Sequence, residues 1–229
     1  MSRLRWLYVL VFHKSVFLVC IAATLFQPLS VLAYDLNASV VTEDKGIFHI
    51  KISAIIEAPA EHIREALSDY THIYRLSSSI IESEVLPSSK KGEKMVKTRL
   101  LCCNSVFCRK VDRVDIVRTL PSGNLQAEIV PQLSDFRSGL AEWKIIPMGD
   151  RSELVYEANL EPDFYIPPFV GTFVVKNSLE DEFITTFDRV ERIARFNAKR
   201  DLNEEYSLEK VVLDKTEQPC NKMLSACLQ

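Results

Sequence analysis

Glycine is scarce in this chain, six residues in 229, and none of the six sits in a GxGxxG fingerprint, a phosphate loop or a GxSxG elbow. No backbone cradle for a pyrophosphate and no strained nucleophile turn is present, so dinucleotide binding, P-loop chemistry and α/β-hydrolase catalysis have no support. Histidine is scarcer, with four. His49, His62 and His72 are scattered, no HExxH occurs, and no carboxylate or cysteine stands at ligand spacing, so metal catalysis lacks a signature. An excess of positive charge is missing as well: 28 Lys and Arg face 31 Asp and Glu, a net charge of −3, with no block of like charge. Nucleic acid, which demands a basic footprint, is therefore excluded as a partner. No internal repeat or low-complexity tract is visible. A chain that is 47% hydrophobic and 26% charged suits one globular domain.

Long apolar runs are confined to the first thirty-three positions. Arg3 and Arg5 supply a basic start, Ser15 to Phe26 an apolar core, and Val31-Leu32-Ala33 a small-residue cleavage site, so a secretory leader over 1–33 and a mature start at Tyr34 are expected. An uncleaved membrane anchor is the alternative, because Trp6 to Phe12 is also apolar, but His13 and Lys14 interrupt the run. Export to the periplasm follows, and loss of Arg3, Arg5 and Lys14 takes the net charge from −3 to −6. Of six cysteines, Cys20 leaves with the leader. The other five meet oxidising conditions in which thiols pair. Cys102 and Cys103 lie just before, and Cys108 just after, a predicted hairpin turn, so Cys108 can bond either one; Cys220 and Cys227 can close a loop in the tail. Zinc is the weaker alternative, since no histidine is near and no paired CxxC occurs.

Helical periodicity is sustained in one mature segment, Pro167 to Lys199. There Phe169, Phe173, Phe183, Phe187, Val190 and Ala194 form an apolar stripe, widened by Val170, Val174, Ile184 and Ile193. Residues 34–45 read as a polar lead-in. Gly46 to Glu57 alternates as a strand with Phe48, Ile50, Ile52, Ala54 and Ile56 on one face. Pro59 opens a short helix carrying Ile63, Ala66 and Leu67, and Asp69 suits the N-cap of a second, Tyr70 to Leu76. Six strands follow, over Ile80–Leu86, Glu93–Cys103, Phe107–Leu120, Asn124–Val130, Gly139–Pro147 and Glu153–Glu161, separated by Pro, Gly, Asn and Ser turns. Residues 199–229 lose periodicity and read as a tail.

This order, β-α-α-β6-α with the long helix last, resembles the START-like (SRPBCC) superfamily, within it the polyketide cyclase and coenzyme Q-binding branch. The likeness rests on Glu57-Ala58-Pro59-Ala60-Glu61-His62-Ile63 into Leu67-Ser68-Asp69-Tyr70, on Phe136-Arg137-Ser138-Gly139 to Trp143, and on Ile166-Pro167-Pro168 ahead of the last helix; it covers residues 46–198. It implies an α+β helix-grip fold in which a curved antiparallel sheet of about seven strands wraps the C-terminal helix. The branch holds both carriers and enzymes.

A curved sheet and a single helix enclose space between them, and an apolar cavity with few polar groups takes apolar ligands. Trp143, Phe173, Phe183 and Phe187 are the expected lining, although an apolar stripe more often simply packs. Polar residues inside strands, Arg99, Asp112, Arg113, Glu142, Glu157 and Asn159, either pair on the solvated face or serve the cavity. Arg99, Glu142 and Glu157 are the expected polar ligand contacts. The predicted function is an exported carrier or binding protein for a lipid, quinone or similar hydrophobic small molecule, in transient contact with membrane and without cofactor or metal. A cyclase, dehydratase or hydrolase using Glu142 or Glu157 for proton transfer is the alternative.

Overall fold

The computed structural model describes residues 36–88, 90–103, 108–165 and 171–201. Of the two units into which the chain divides, Met1–Ala33 and Tyr34–Gln229, only the second is described. The predicted leader, the Cys220 and Cys227 clasp and most of the tail therefore lie outside the described residues.

Eight antiparallel strands form one curved, unclosed sheet: β1 (Ala38–Asp44), β2 (Ile47–Ile56), β3 (Ile80–Leu86), β4 (Glu93–Cys103), β5 (Cys108–Thr119), β6 (Leu125–Ile129), β7 (Phe136–Met148) and β8 (Arg151–Pro162). Two helices accompany them, α1 (Ala60–Ser68) and α2 (Gly171–Asp201). The spatial order β1-β2-β8-β7-β6-β5-β4-β3 places β2 and β3 far apart. The segment from Glu57 to Ser79 thus has to cross from one side of the sheet to the opposite edge, carrying α1 with it. From β3 onward each strand pairs with the next, and β8 closes against β2.

The eighth strand comes from residues read as a polar lead-in. Edge strands need pairing on one side alone, and in β1 only Val41 is buried, so the sequence shows little alternation. Its register is set by a two-residue turn, Lys45 and Gly46, both at positive φ (52° and 87°), the backbone that joins tightly twisted hairpin strands. Glu43 reinforces it by accepting a bond from the Gly46 amide at 2.6 Å. Tyr70 to Leu76, expected as a helix, forms a single 3-10 turn at Ile73–Arg75. Asp69 does not cap it: its carboxylate accepts from the side chains of Thr71 and His72, each at 2.9 Å, and the N-cap position falls to His72, without a side-chain cap bond. The serines after Leu76 then bond the carboxylate of Glu182 instead of continuing the helix.

Alternation decides which sheet face meets α2. Ile50, Ile52, Ala54 and Ile56 of β2, Leu154, Tyr156 and Ala158 of β8, and Ala141 and Ile145 of β7 are buried together with Phe183, Phe187, Val190 and Ala194 of α2 and Ile63 and Leu67 of α1. Burying each large apolar side chain contributes about 1.5–3 kcal/mol. α2 packs chiefly on α1, β1 and β2. A second, smaller cluster of Tyr70, Val96 and Val117 sits across the concave face. Gly139 fits where β7 passes Ile129 and Leu160: a methyl there would come 2.3 Å from Ile129 Cδ1, forcing that side chain to move, and press on Leu160 at 3.0 Å. Among the described residues no helix is long and apolar enough to cross a membrane.

Candidate functional site

Between the two apolar clusters the concave face carries charge. Arg113 and Asp115 stand two apart on β5, so strand alternation turns both the same way, and the register places Thr98 opposite Arg113 and Val96 opposite Asp115. Arg113 Nε donates to Asp115 Oδ1 at 3.0 Å and Oδ2 at 2.8 Å, and its Nη2 donates to Oδ1 at 2.9 Å. The side chains are only 15% and 9% exposed. Arg113 also bonds the hydroxyl of Tyr156 on β8, reaching it across the curve of the sheet from three positions away in strand order. Burial works against the guanidinium's charge, but the Asp115 carboxylate and the Tyr156 oxygen outweigh it and hold the arginine above its ordinary pKa. Thr98 completes the polar group, its Oγ1 donating to the Arg113 carbonyl at 3.4 Å.

The other side of Tyr156 is aromatic. Its ring lies 4.7 Å from Trp143 and 4.7 Å from Phe183, and Phe183 lies 5.7 Å from Phe187. These tilted, offset contacts are the geometry that aromatic quadrupoles favour. Trp143 reaches Phe183 at 5.9 Å and Phe187 at 6.1 Å. One side chain, Tyr156, thus belongs both to an aromatic cluster and to a buried ion pair. An apolar molecule with one polar end would find both kinds of partner here.

Solved structures share this fold. The Thermus thermophilus protein TTHA0849 superimposes with a TM-score of 0.55 at 14% identity over 66% of this chain and 99% of its own. A START superfamily protein from Mycobacterium smegmatis gives 0.51 at 17% identity, over 63% and 98%. The fold is START-like. A STAR-related lipid transfer protein from Xanthomonas axonopodis gives 0.51 at 14%, over 67% of this chain and 99% of that fragment. No protein-family model and no curated protein matches the sequence.

Within the START-like domain, the residues expected at the site divide by strand face. Trp143, Phe183 and Phe187 come together under α2. Phe173 does not join them and is 73% exposed, in the first turn of α2, ahead of the part of the helix that is buried. Arg99, Glu142 and Glu157 lie on the convex face. Arg99 donates to Asp112 at 2.7 Å and to Glu82 at 2.7 Å, a cross-strand network of the kind that needs no ligand. Its bonds to Asp112 hold that carboxyl below the usual range. Glu142 accepts from Asn124 at 2.8 Å. Glu157 pairs with Lys144 and, at 2.9 Å, with Lys51, whose bonds keep its carboxyl low. Both glutamates line an open groove of about 400 Å³ on that outer face with His49, Lys51, Leu140 and Asn159.

Asp115, Tyr156 and Thr98 escaped the sequence reading, and Arg113 was one candidate among several. On β5 buried valines occupy both faces, Val111 and Val117 on the face of Arg113 and Asp115 and Val114 on the opposite one, so parity there is ambiguous. An Arg-x-Asp pair at strand spacing was the available signal. Cys108 is disulfide-bonded and stands opposite Cys103 in the β4–β5 register, with Cys102 opposite Arg109. The side chains of Cys102 and Cys103 lie outside the described residues.

Proposed function

We propose that this START-like domain binds a small, largely apolar molecule, a lipid or quinone, against its concave face, with the polar end at Arg113, Asp115 and Tyr156. The buried ion pair beside the aromatic cluster is the observation that carries this reading. Two charges withdrawn from water cost more than a well-packed apolar pair would, and a buried guanidinium, with five N–H donors in a fixed fork, is suited to orienting a ligand's polar group. Because Asp115 already neutralises Arg113, an uncharged carbonyl or hydroxyl fits better than a carboxylate or phosphate, which would add an uncompensated buried charge. The Xanthomonas neighbour is named for lipid transfer, which agrees with this class of partner.

Carriage is favoured over catalysis. Glu142 and Glu157, the residues that a cyclase or dehydratase reading would use, face away from the concave side, and Asp115 is engaged by Arg113. We further place the domain in the periplasm after removal of residues 1–33, with Cys103 as the partner of Cys108; the leader pattern and the disulfide at Cys108 support both.

Trp143 is the one tryptophan after Tyr34, so its emission reports on this face. Titration of exported protein with ubiquinone and with the fluorescent sterol dehydroergosterol should shift or quench it saturably. Arg113→Met together with Tyr156→Phe should weaken binding at least tenfold, while Glu142→Gln and Glu157→Gln should not. Unchanged affinity in the first variant would remove the ion pair from the site. Native mass spectrometry of protein extracted from its own compartment identifies the ligand.

A further inference from the structure

We propose that Glu182 is a latch, and that its release from the Ser77–Ser79 turn opens the path by which a ligand reaches Arg113; this rests on the ligand-binding reading above. One carboxylate gathers an entire chain bend. Glu182 Oε1 accepts from Ser77 Oγ at 2.5 Å, from the Ser78 amide at 2.9 Å and from the Ser79 amide at 3.3 Å, and Oε2 accepts from Ser78 Oγ. Ser77 and Ser78 are themselves buried, so these bonds are shielded from water and the group is costly to separate. The clamp marks a boundary along α2. From Phe173 to Asp181 no described side chain is buried, whereas Phe183, Thr186, Phe187 and Val190 directly after it are. Farther on, Glu191 accepts a bond from the Glu57 amide at 3.0 Å and fixes the second half of the helix. Ahead of Glu182 the described side chains of the helix are all exposed or half-buried.

The clamp also has a direction. The Ser79 carbonyl accepts from the Leu101 amide at 2.7 Å, which seats the turn on β4, three residues from Thr98 and hence from Arg113. Parting α2 from this turn exposes the charged part of the concave face while the aromatic cluster at Phe187 stays packed. Glu182 acts by holding the helix and makes no contact with the ligand.

Glu182→Gln and the double variant Ser77→Ala with Ser78→Ala test this in the full exported chain. Amide hydrogen exchange over residues 174–182 should quicken at least tenfold in both, with 187–197 unchanged, and release of dehydroergosterol to phosphatidylcholine vesicles should quicken in parallel. Unchanged exchange over 174–182, or faster exchange along all of α2, overturns the latch. Retained sterol released at the wild-type rate overturns the gate while leaving the binding reading intact. A wild-type protein that retains neither sterol nor ubiquinone overturns the binding reading and the gate with it.

Discussion

Arg113 and Asp115 are worth more to each other than to the protein's stability. Removing one partner leaves the other charged in a site with little water, a loss that typically reaches about 3–5 kcal/mol. Asp115→Ala is expected to lower the unfolding free energy by that amount in urea titrations. Replacing both residues, Arg113→Met with Asp115→Leu, should restore most of it, because apolar side chains of similar volume pack without desolvating a charge. The double variant should nonetheless lose ligand, which separates a binding role from a structural one; equal instability in both variants would refute the pairing. The convex-face carboxylates behave in the opposite sense to a buried charge. Asp112 is held low by Arg99, and Glu157 by Lys144 and Lys51. Since their folded pKa values lie below the unfolded ones, near 4, the stability they add is complete above that range. It disappears as pH falls through the depressed folded values. Carboxyl carbon NMR titration should place both midpoints under the ordinary range, and midpoints at ordinary values would show that the ion pairs do not persist in solution. Glu157 was expected to contact ligand, although the alternation of Leu154, Tyr156, Ala158 and Leu160 as the apolar face of β8 already turns it outward. Asp115's position was not legible, because β5 carries valine on both faces.

Among whole elements, the long helix was the most legible and also the least uniform. The 3.6-residue stripe groups Phe173 with Phe183 and Phe187, yet only the last two are buried. Periodicity records which side chains share a face, while how far along the axis a partner surface extends is a tertiary fact. Phe187→Ala should therefore cost about 3–5 kcal/mol, as truncation of a buried phenylalanine does. Phe173→Ala should stay within about 0.5 kcal/mol of wild type. Thermal and urea unfolding of the two variants decides the matter, and comparable losses would mean that the first turns of α2 are packed. Strands β3 to β8 follow from turn residues and alternation, since each has neighbours on both sides or a clear hairpin. The edge strand β1 was hidden because residues 38–44 bury one side chain, Val41. The expected helix at Tyr70 to Leu76 shrank to one turn because three consecutive serines have, in Glu182, a better acceptor than the helix's own carbonyls. That acceptor lies more than a hundred positions downstream, where no local pattern points to it.

For the molecule as a whole, the path from β2 to β3 is the consequential feature, because it carries the chain across the concave side before the meander begins. The sheet then rests on pairings that are mostly local, from β3 to β8, with one long-range closure, β8 on β2. A cross-link in the β4–β5 hairpin adds little to such a sheet. In the register Cys103 faces Cys108, and Cys102 faces Arg109 on the alternate side, so strand geometry favours Cys103 as the partner of the bonded Cys108. The loop it closes is so short that the denatured chain loses little freedom, which limits stabilisation to about 2 kcal/mol. The fold should consequently survive reduction. Peptide mapping of exported protein under non-reducing conditions is expected to recover a Cys103–Cys108 fragment beginning from a chain whose first residue is Tyr34. Reduced protein should unfold cooperatively at a slightly lower urea concentration, with ligand still bound. A free Cys108 thiol in exported protein would sink the pairing, and a chain that retains residues 1–33 would replace the proposed periplasmic location with a membrane-anchored one.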